Sequence, residues 1–474
     1  MRERFLRALH SSFFTPRISL HMLTALLFMA AAELHFEPYT LTTFDGRPHP
    51  AEKATLTLLE RAGAPRTIDL AVVRLRTANE HPNAPIVFLA PGPGIAANVL
   101  ARVPVYFRLF DRLRENADVI LLDARGEGMS KPNLDSCPAG PIPDQPFASY
   151  DAIANAWASS VKHCGDYWRS QGVDLGAYTT DARADDVDAL RRAIGAQRLQ
   201  LLAFSYGTEL ALDVLRRHPG SVERLVLAGT ADADDHPNLP STNDVQLAKL
   251  RADLPKLARE ALARAPIDVT IDGKTDHVGT AALQLIIATQ LSGDAAMLPA
   301  LLTSVRDGDV SIVTPLVKQM TKSLATGVTL IGRAIDCAAP TRADRVAVAA
   351  AEAKTSIAGN LRNLNFEKSV CMYFGSRVAA PRPPLVSDVP ILFVSGALDA
   401  NAPPFYAERV RFGFRNSKHV VVENGFHETL PDEKVQSLVA DFLAGHDVGS
   451  PSIKFPEPRL LTIEEARAAA SRSR

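Results

Sequence analysis

Residues 199–215 read LQLLAFSYGTELALDVL. Leu199 to Phe204 is an uncharged run of strand length, and from Tyr206 onward the apolar residues fall at helical spacing until His218-Pro219-Gly220 stops them. Ser205 stands on the turn between the two. A serine there has the setting of a nucleophile elbow, where small residues two before and two after it let strand and helix approach closely. Those positions hold Ala203 and Gly207, so the motif is A-x-S-x-G in place of G-x-S-x-G. Five letters alone carry little weight, because serine is also an ordinary helix N-cap.

The same rhythm continues outward. Upstream, the apolar strand Ile86 to Ala90 ends in Pro91-Gly92-Pro93-Gly94, a helical stretch covers 104–115, and the strand Asp118 to Leu122 ends in DARGEGMS, Asp123 to Ser130. A helix is predicted over Asp181 to Ile194, with Asp181 as N-cap and Gly195 closing it. Downstream, Val222 to Ala228 is a further strand. Two alternating runs, Ala54 to Leu59 and Thr67 to Arg76, open the chain as an antiparallel pair. Strands and helices alternating in this way predict an α/β protein with a mostly parallel, doubly wound sheet. Between about Pro237 and Pro384 alanine- and leucine-rich segments dominate and strand signals thin out, which predicts an inserted helical domain ended by its prolines. The sheet resumes at Val389 to Ser395 and Lys418 to Val422, followed by helices at Asp432 to Leu443 and Ile463 to Arg472.

Serine is a weak nucleophile near neutral pH and needs a histidine to take its proton and an acid to orient that histidine. In this setting the expected chain order is serine, acid, histidine. The run PILFVSGALDANAPP carries Asp399 just beyond a strand, and KHVVVENGFHETL carries His427 just beyond the next, with Gly425 suited to a tight approach. Ligands of open parallel sheets bind outside the carboxyl ends of the strands, so Ser205, Asp399 and His427 are expected along one edge. Backbone amides serve best for the developing oxyanion. That of Tyr206 is one, and Gly92 is the best second donor because Pro91 and Pro93 have no N–H.

Gly92, Gly94 and Ala97 also spell G-x-G-x-x-A after a strand, and Asp123 ends the next strand, as in a dinucleotide site. Pro93 inside that turn and the long interval to Asp123 fit such a site poorly, and it leaves the serine, acid and histidine unexplained. No cofactor is expected. Neither C-x-x-C nor H-E-x-x-H occurs, so no metal site is expected either. Across 474 residues the formal net charge is −1 and no long basic run occurs, which argues against nucleic acid as a partner.

Four arginines, Arg2, Arg4, Arg7 and Arg17, precede the apolar stretch Ile18 to Ala32, which ends in small residues. This reads as a secretory signal peptide cleaved near Ala32, with a retained anchor or a buried first helix as alternatives; the run is short of the ~20 residues needed to span a membrane. Export makes the four cysteines, Cys137, Cys164, Cys337 and Cys371, a disulfide set with three possible pairings, whereas a cytosolic chain would keep them as thiols. The expected organisation is a leader over 1–32, a core over 33–236 and 385–474, and a helical cap over 237–384.

PGPG, DARGEGMS, AFSYGTELAL, SGALDANAPP and NGFHET together resemble the prolyl-aminopeptidase and tripeptidyl-aminopeptidase family of α/β-hydrolases, over about Ala54 to Leu443. That family usually has H-G-G-P-G where this chain has Ala90 to Gly94, and D-x-R-G-x-G-x-S, intact here from Asp123 to Ser130. The resemblance implies an α/β-hydrolase fold with an inserted helical cap, Ser205 as nucleophile, His427 as base, Asp399 as its orienter and the Gly92 and Tyr206 amides on the oxyanion. Asp123 and Arg125 would organise the loops. It also implies the local disulfides Cys137 with Cys164 and Cys337 with Cys371, in an exported, periplasmic or extracellular protein. Asp399 lies 194 residues after Ser205, far more than two strand-helix units need, so a cap would restrict access to short or terminal segments. The expected substrate is accordingly a short peptide cleaved by an exopeptidase, with a small ester hydrolysed by the same machinery as the alternative. Glu209, on the serine's own helix, is a candidate for binding a substrate amine, in competition with Asp234, Asp235 and several acidic residues of the cap, and with a merely structural packing or ion-pairing role of its own.

Overall fold

The computed structural model describes residues 34–231, 236–327, 330–360, 363–364, 367–375, 380 and 382–472. The expected leader, Asp234, Asp235 and Pro381 lie outside the described residues. Three antiparallel strands lead in, β1 (Glu37–Thr42), β2 (Pro48–Leu59) and β3 (Thr67–Leu75). Next come β4 (Ile86–Leu89), helices α1 (Ala97–Ala101) and α2 (Pro104–Leu113), and β5 (Val119–Leu122). After α3 (Tyr150–Ser170) and α4 (Thr180–Ala193), β6 (Leu199–Phe204) runs through the serine turn into α5 (Tyr206–Arg217) and on to β7 (Val222–Ala228).

The insertion follows β7. Its elements are α6 (Pro240–Leu250), α7 (Leu254–Leu262), the hairpin β8 (Ile267–Ile271) and β9 (Lys274–Val278), α8 (Thr280–Ser292), α9 (Leu298–Arg306), α10 (Val313–Thr326), α11 (Leu330–Ala338), α12 (Ala343–Glu352) and the short α13 (Lys368–Cys371). The hairpin was not expected in this helical stretch. Its signal is Asp272-Gly273, both at positive φ (50° and 84°), a pair suited to a two-residue turn between strands. The sheet then resumes with β10 (Ile391–Gly396), α14 (Pro404–Arg411), β11 (Ser417–Glu423), α15 (Glu433–Ala444), the two-residue β12 (Ile453–Lys454) and the closing helix α16 (Ile463–Arg472).

The ten-stranded sheet has the order β1-β2-β3-β5-β4-β6-β7-β10-β11-β12, parallel from β5 onward. All six residues of β6 are buried because both faces are covered. Leu202 packs with Phe107 and Phe110 of α2 and Val439 of α15 in the core on one face. Its neighbour Leu201 packs with Val187 of α4 and Leu210 of α5 on the other, the period of two a buried strand imposes.

A separate core holds the insertion together, and two helices from outside it take part. Ile153 and Ala156 of α3, and Ala466 and Ala470 of α16, are buried among Ile286, Leu301 and Val313. Thus α3, which comes before the serine in the chain, packs on the insertion that comes after it. The N-cap of α4 is Thr179 and not Asp181: Thr179 is extended and its hydroxyl accepts the Ala182 amide at 3.2 Å. Asp181 instead pairs with Arg217 at 3.4 Å and with Arg382. Cys137 is bonded to Cys164 on α3, and Cys337 on α11 to Cys371. Gly327, at φ 60°, ends α10 against the first of these bonds, where a Cβ would collide with Cys164 Sγ.

Candidate active site

At the end of β6, Ser205 adopts φ 54° and ψ −122°, a conformation that costs a non-glycine residue about 1–3 kcal/mol and persists only when its surroundings enforce it. Its amide donates to the Ala228 carbonyl at 2.9 Å. Its carbonyl accepts the Thr208 amide at 2.8 Å and the Thr208 hydroxyl at 2.6 Å, and that hydroxyl in turn accepts the Ala231 amide at 2.9 Å. The turn is thereby fastened both to its own helix and to the loop after β7. Gly207 faces the Leu89 carbonyl oxygen so closely that any Cβ would collide with backbone. The close approach inferred from A-x-S-x-G is therefore between α5 and the end of β4.

The loops after β10 and β11 bring Asp399 and His427 to this serine. His427 Nε2 lies 2.8 Å from Ser205 Oγ, and His427 Nδ1 lies 2.8 Å from Asp399 Oδ2. The other oxygen of Asp399 accepts the amides of Asn401 at 2.7 Å and Ala402 at 2.9 Å, and the residue is fully buried. An aspartate so held can turn only one oxygen to the imidazole. The Phe204 ring lies 5.1 Å from that of His427, and Gly229, at φ 58°, presses against its other atoms, so that a Cβ there would come within 3.0 Å of Cε1. The passage between the two loops is tight at both glycines: a Cβ on Gly396 would collide with the Phe426 and Gly425 carbonyls, and one on Gly425 would meet Val422 at 3.1 Å.

Tyr206 is the first residue of α5, where a helical N–H has no partner of its own, and Gly92 sits at φ 124° in the loop after β4. No acceptor among the described residues takes either amide. Beneath them runs a buried ionic network. The Gly94 amide donates to Glu127 Oε1 at 2.9 Å, and the same oxygen pairs with Arg183 Nη2 at 2.5 Å. Arg183 Nη2 also donates to the Arg125 carbonyl at 2.9 Å, and its guanidinium lies 5.6 Å from the Tyr206 ring. Burial pushes the Glu127 carboxyl above the usual carboxylate range, opposed by Arg183. Arg125 holds Asp186 through two bonds, of 2.6 and 2.7 Å, and Asp123 accepts the Asn98 and Met129 amides, both at 2.9 Å. Both belong to the loop scaffold, and Asp123 has no exposed surface.

Glu209 is buried, and His236 Nε2 lies 2.8 Å from its Oε1, so the carboxylate is already engaged. The insertion reaches the site through α11. Ile331 packs on Gly94 and Gly126, and Gly332 faces the Pro93 carbonyl. No group of three or more His, Cys, Asp or Glu residues that could hold a metal ion occurs among the described residues. Sequence reasoning passed over Glu127, Arg183, Thr208 and Gly229. The one available signal was a glutamate between two glycines, at a variable position of D-x-R-G-x-G-x-S.

Residues 85–270 match the model of the alpha/beta hydrolase fold, and residues 355–448 that of TAP-like proteins. The chain is 27% identical over 177 residues to serine protease Hip1 of Mycobacterium tuberculosis, 35% of this chain and 33% of that protein. It is 26% identical over 180 residues to putative hydrolase YuaR of Escherichia coli, 35% of this chain and 32% of the relative. The matches thus span about a third of the length of these curated relatives. Among solved structures it is similar to proline iminopeptidase of Mycobacterium smegmatis, with 17% identity, a TM-score of 0.42, and coverage of 83% of this chain and 99% of that one. An esterase from Exiguobacterium antarcticum has 14% identity and a TM-score of 0.36, over 86% and 99% of the two chains.

Proposed function

The chain is an α/β hydrolase with a TAP-like region toward its carboxyl end, and on that premise we propose that it is an exported serine exopeptidase releasing N-terminal residues or short peptides. The observation that carries the reading is the continuous hydrogen-bonded line from Ser205 Oγ through His427 to Asp399. In the acylation step His427 Nε2 takes the Ser205 proton as Oγ forms its bond to the substrate carbonyl carbon. The negative charge that develops on the carbonyl oxygen meets the Gly92 and Tyr206 amides, and the positive end of α5 adds to them. His427 then hands the proton to the leaving amine as the C–N bond breaks. Water repeats the sequence on the acyl-enzyme and restores Ser205. Asp399 stays ionised throughout and stabilises the imidazolium.

The peptide substrate is supported by the likeness to serine protease Hip1, and restriction to short or terminal segments by α11 lying over the loop that carries Gly92. Two closed disulfides support an oxidising compartment, and no helix among the described residues is long and apolar enough to cross a membrane. A fluorophosphonate probe is expected to label Ser205 and no other residue, and Ser205→Ala to lower turnover by several orders of magnitude. Free N-terminal peptide anilides are expected to be cleaved in preference to blocked anilides and short-chain esters. Cleavage of esters alone would replace the peptidase reading by an esterase, and an unlabelled native protein would remove the serine hydrolase altogether.

A further inference from the structure

A cavity of about 370 Å³, lined by none of the triad residues, opens between α3, α8, α10 and α11. Its volume lies in the range of small-molecule sites, roughly 300–1,000 Å³. The walls are mainly apolar, including Trp157, Val161, Leu285, Ile286, Leu316 and Met320. Into them projects one charged side chain, Arg333, which is 9% exposed. Its guanidinium lies 4.1 Å from the Trp157 ring centroid, and its nearest carboxylate oxygen, Asp336 Oδ2, is 3.9 Å away. At that distance Asp336 is an ion-pair partner beyond hydrogen-bond reach, which leaves the guanidinium donors turned toward the cavity without a bond to it. Burial pushes its pKa down to about 10, which Asp336 only partly offsets.

A buried guanidinium of this kind is costly unless something neutralises it, and five N–H donors stand ready for a planar anion. We propose that the cavity binds an amphipathic carboxylate, an apolar chain or ring bearing a single negative charge, with Arg333 as counter-ion and Trp157 holding the guanidinium flat against the wall. The apolar lining takes the body of the ligand. Asp336, already close to Arg333, disfavours a dianion such as a phosphate monoester, because the second charge would face a carboxylate. None of the residues lining the cavity belongs to the triad, although α11, which carries Arg333, also places Gly332 against the Pro93 carbonyl.

The test is calorimetric titration of the full chain with decanoate, decanol, N-acetyl-Leu-Phe and N-acetyl-Leu-Phe-amide, followed in parallel by fluorescence of Trp157, one of two tryptophans. Each acid is expected to bind about ten- to a hundredfold more tightly than its neutral counterpart, the range of a charge-assisted hydrogen-bonded pair. A stronger response to decanoate assigns a lipid-derived acid, and a stronger response to the blocked dipeptide assigns a peptide terminus; both support the site. Arg333→Met is expected to abolish the preference for acids while the neutral ligands still bind, and Arg333→Lys to keep part of it. Met320→Trp, which fills the cavity, is expected to remove binding of all four. Equal affinity for acids and neutral ligands, absence of binding to a cooperatively melting protein, or an acid preference that survives Arg333→Met would each overturn the proposal.

Discussion

Asp399→Asn separates the orientation of His427 from its mere presence. Asp399 Oδ1 accepts two backbone amides, from Asn401 at 2.7 Å and Ala402 at 2.9 Å, while Oδ2 faces His427 Nδ1 at 2.8 Å. An asparagine in the same space has one acceptor and one donor to distribute. With its NH₂ toward Asn401 and Ala402 it would set donors against two fixed donors and forfeit two buried hydrogen bonds, at about 1–3 kcal/mol for each group left unsatisfied. The opposite rotamer keeps both bonds and turns the NH₂ toward His427. Nδ1 must then be an acceptor, so the neutral ring carries its proton on Nε2 and donates to Ser205 Oγ when it should accept from it. Turnover is expected to fall about 10⁴-fold, or about 5 kcal/mol at ~1.36 kcal/mol per decade, with KM and the thermal midpoint little changed. The residual rate is expected to climb with pH, because hydroxide must remove the proton that His427 no longer takes. The assay is steady-state turnover of an activated substrate from about pH 6 to about pH 10, alongside a melting curve. An Asp399→Asn variant that folds normally and keeps turnover within tenfold of the parent at neutral pH would refute the reasoning.

Gly207→Ala directs a methyl group into the Leu89 carbonyl, which is backbone and cannot turn away, so a loss of several kcal/mol or insoluble protein is expected; Gly195→Ala, with open space around it, is expected to cost only about 1 kcal/mol by chemical denaturation. Glu127→Gln leaves the buried Arg183 without its counter-charge, and urea unfolding is expected to show a loss of about 3–5 kcal/mol; an unchanged midpoint would mean that the pair does not hold the loop. Replacing Cys337 and Cys371 together by serine opens a ring of 34 residues and is expected to lower stability by about 3–4 kcal/mol, while Ser205 still reacts with the fluorophosphonate probe; loss of labelling in a folded variant would contradict this. Burial raises the Asp213 carboxyl from 3.8 to about 6 despite Arg382 and Arg216, so the folded chain keeps this proton to higher pH than the unfolded chain. Its contribution is present below about pH 4 and is lost as pH rises to about 6, on the order of 3 kcal/mol, and Asp213→Asn is expected to flatten that slope in urea titrations across the window.

How much of this was legible depended on how local the cause was. The boundaries of β6, β7 and α16 agree with their sequence runs because buried strands and capped helices announce themselves within a few residues. The elbow could be read because its steric demand is met by neighbours, Ala203 and Gly207, and the acid and histidine because each follows an apolar strand. Thr179 outcompeted Asp181 as a cap because the start of α4 depends on which residue is extended, which a one-residue shift in pattern does not reveal. The pairing of Glu127 with Arg183, like that of Glu209 with His236, joins residues far apart in the chain, and nothing in a single sequence says which charges will meet in the interior. The β8–β9 hairpin has a local signal in Asp272-Gly273, set within a stretch otherwise dominated by alanines and leucines.

The sharing of the insertion's core with α3 and α16 has a consequence for grafting experiments. A segment joined to the sheet only at its two ends could be exchanged between relatives as a cassette. Here a transplant cut at the ends of the insertion would strand Ile153 and Ala156 on one side and Ala466 and Ala470 on the other, each against a foreign surface. The transferable unit is therefore discontinuous, three stretches of chain that must travel together, and substitutions on the inner face of α16 belong to the same unit as those on α9 and α10, although the sheet separates them in the chain.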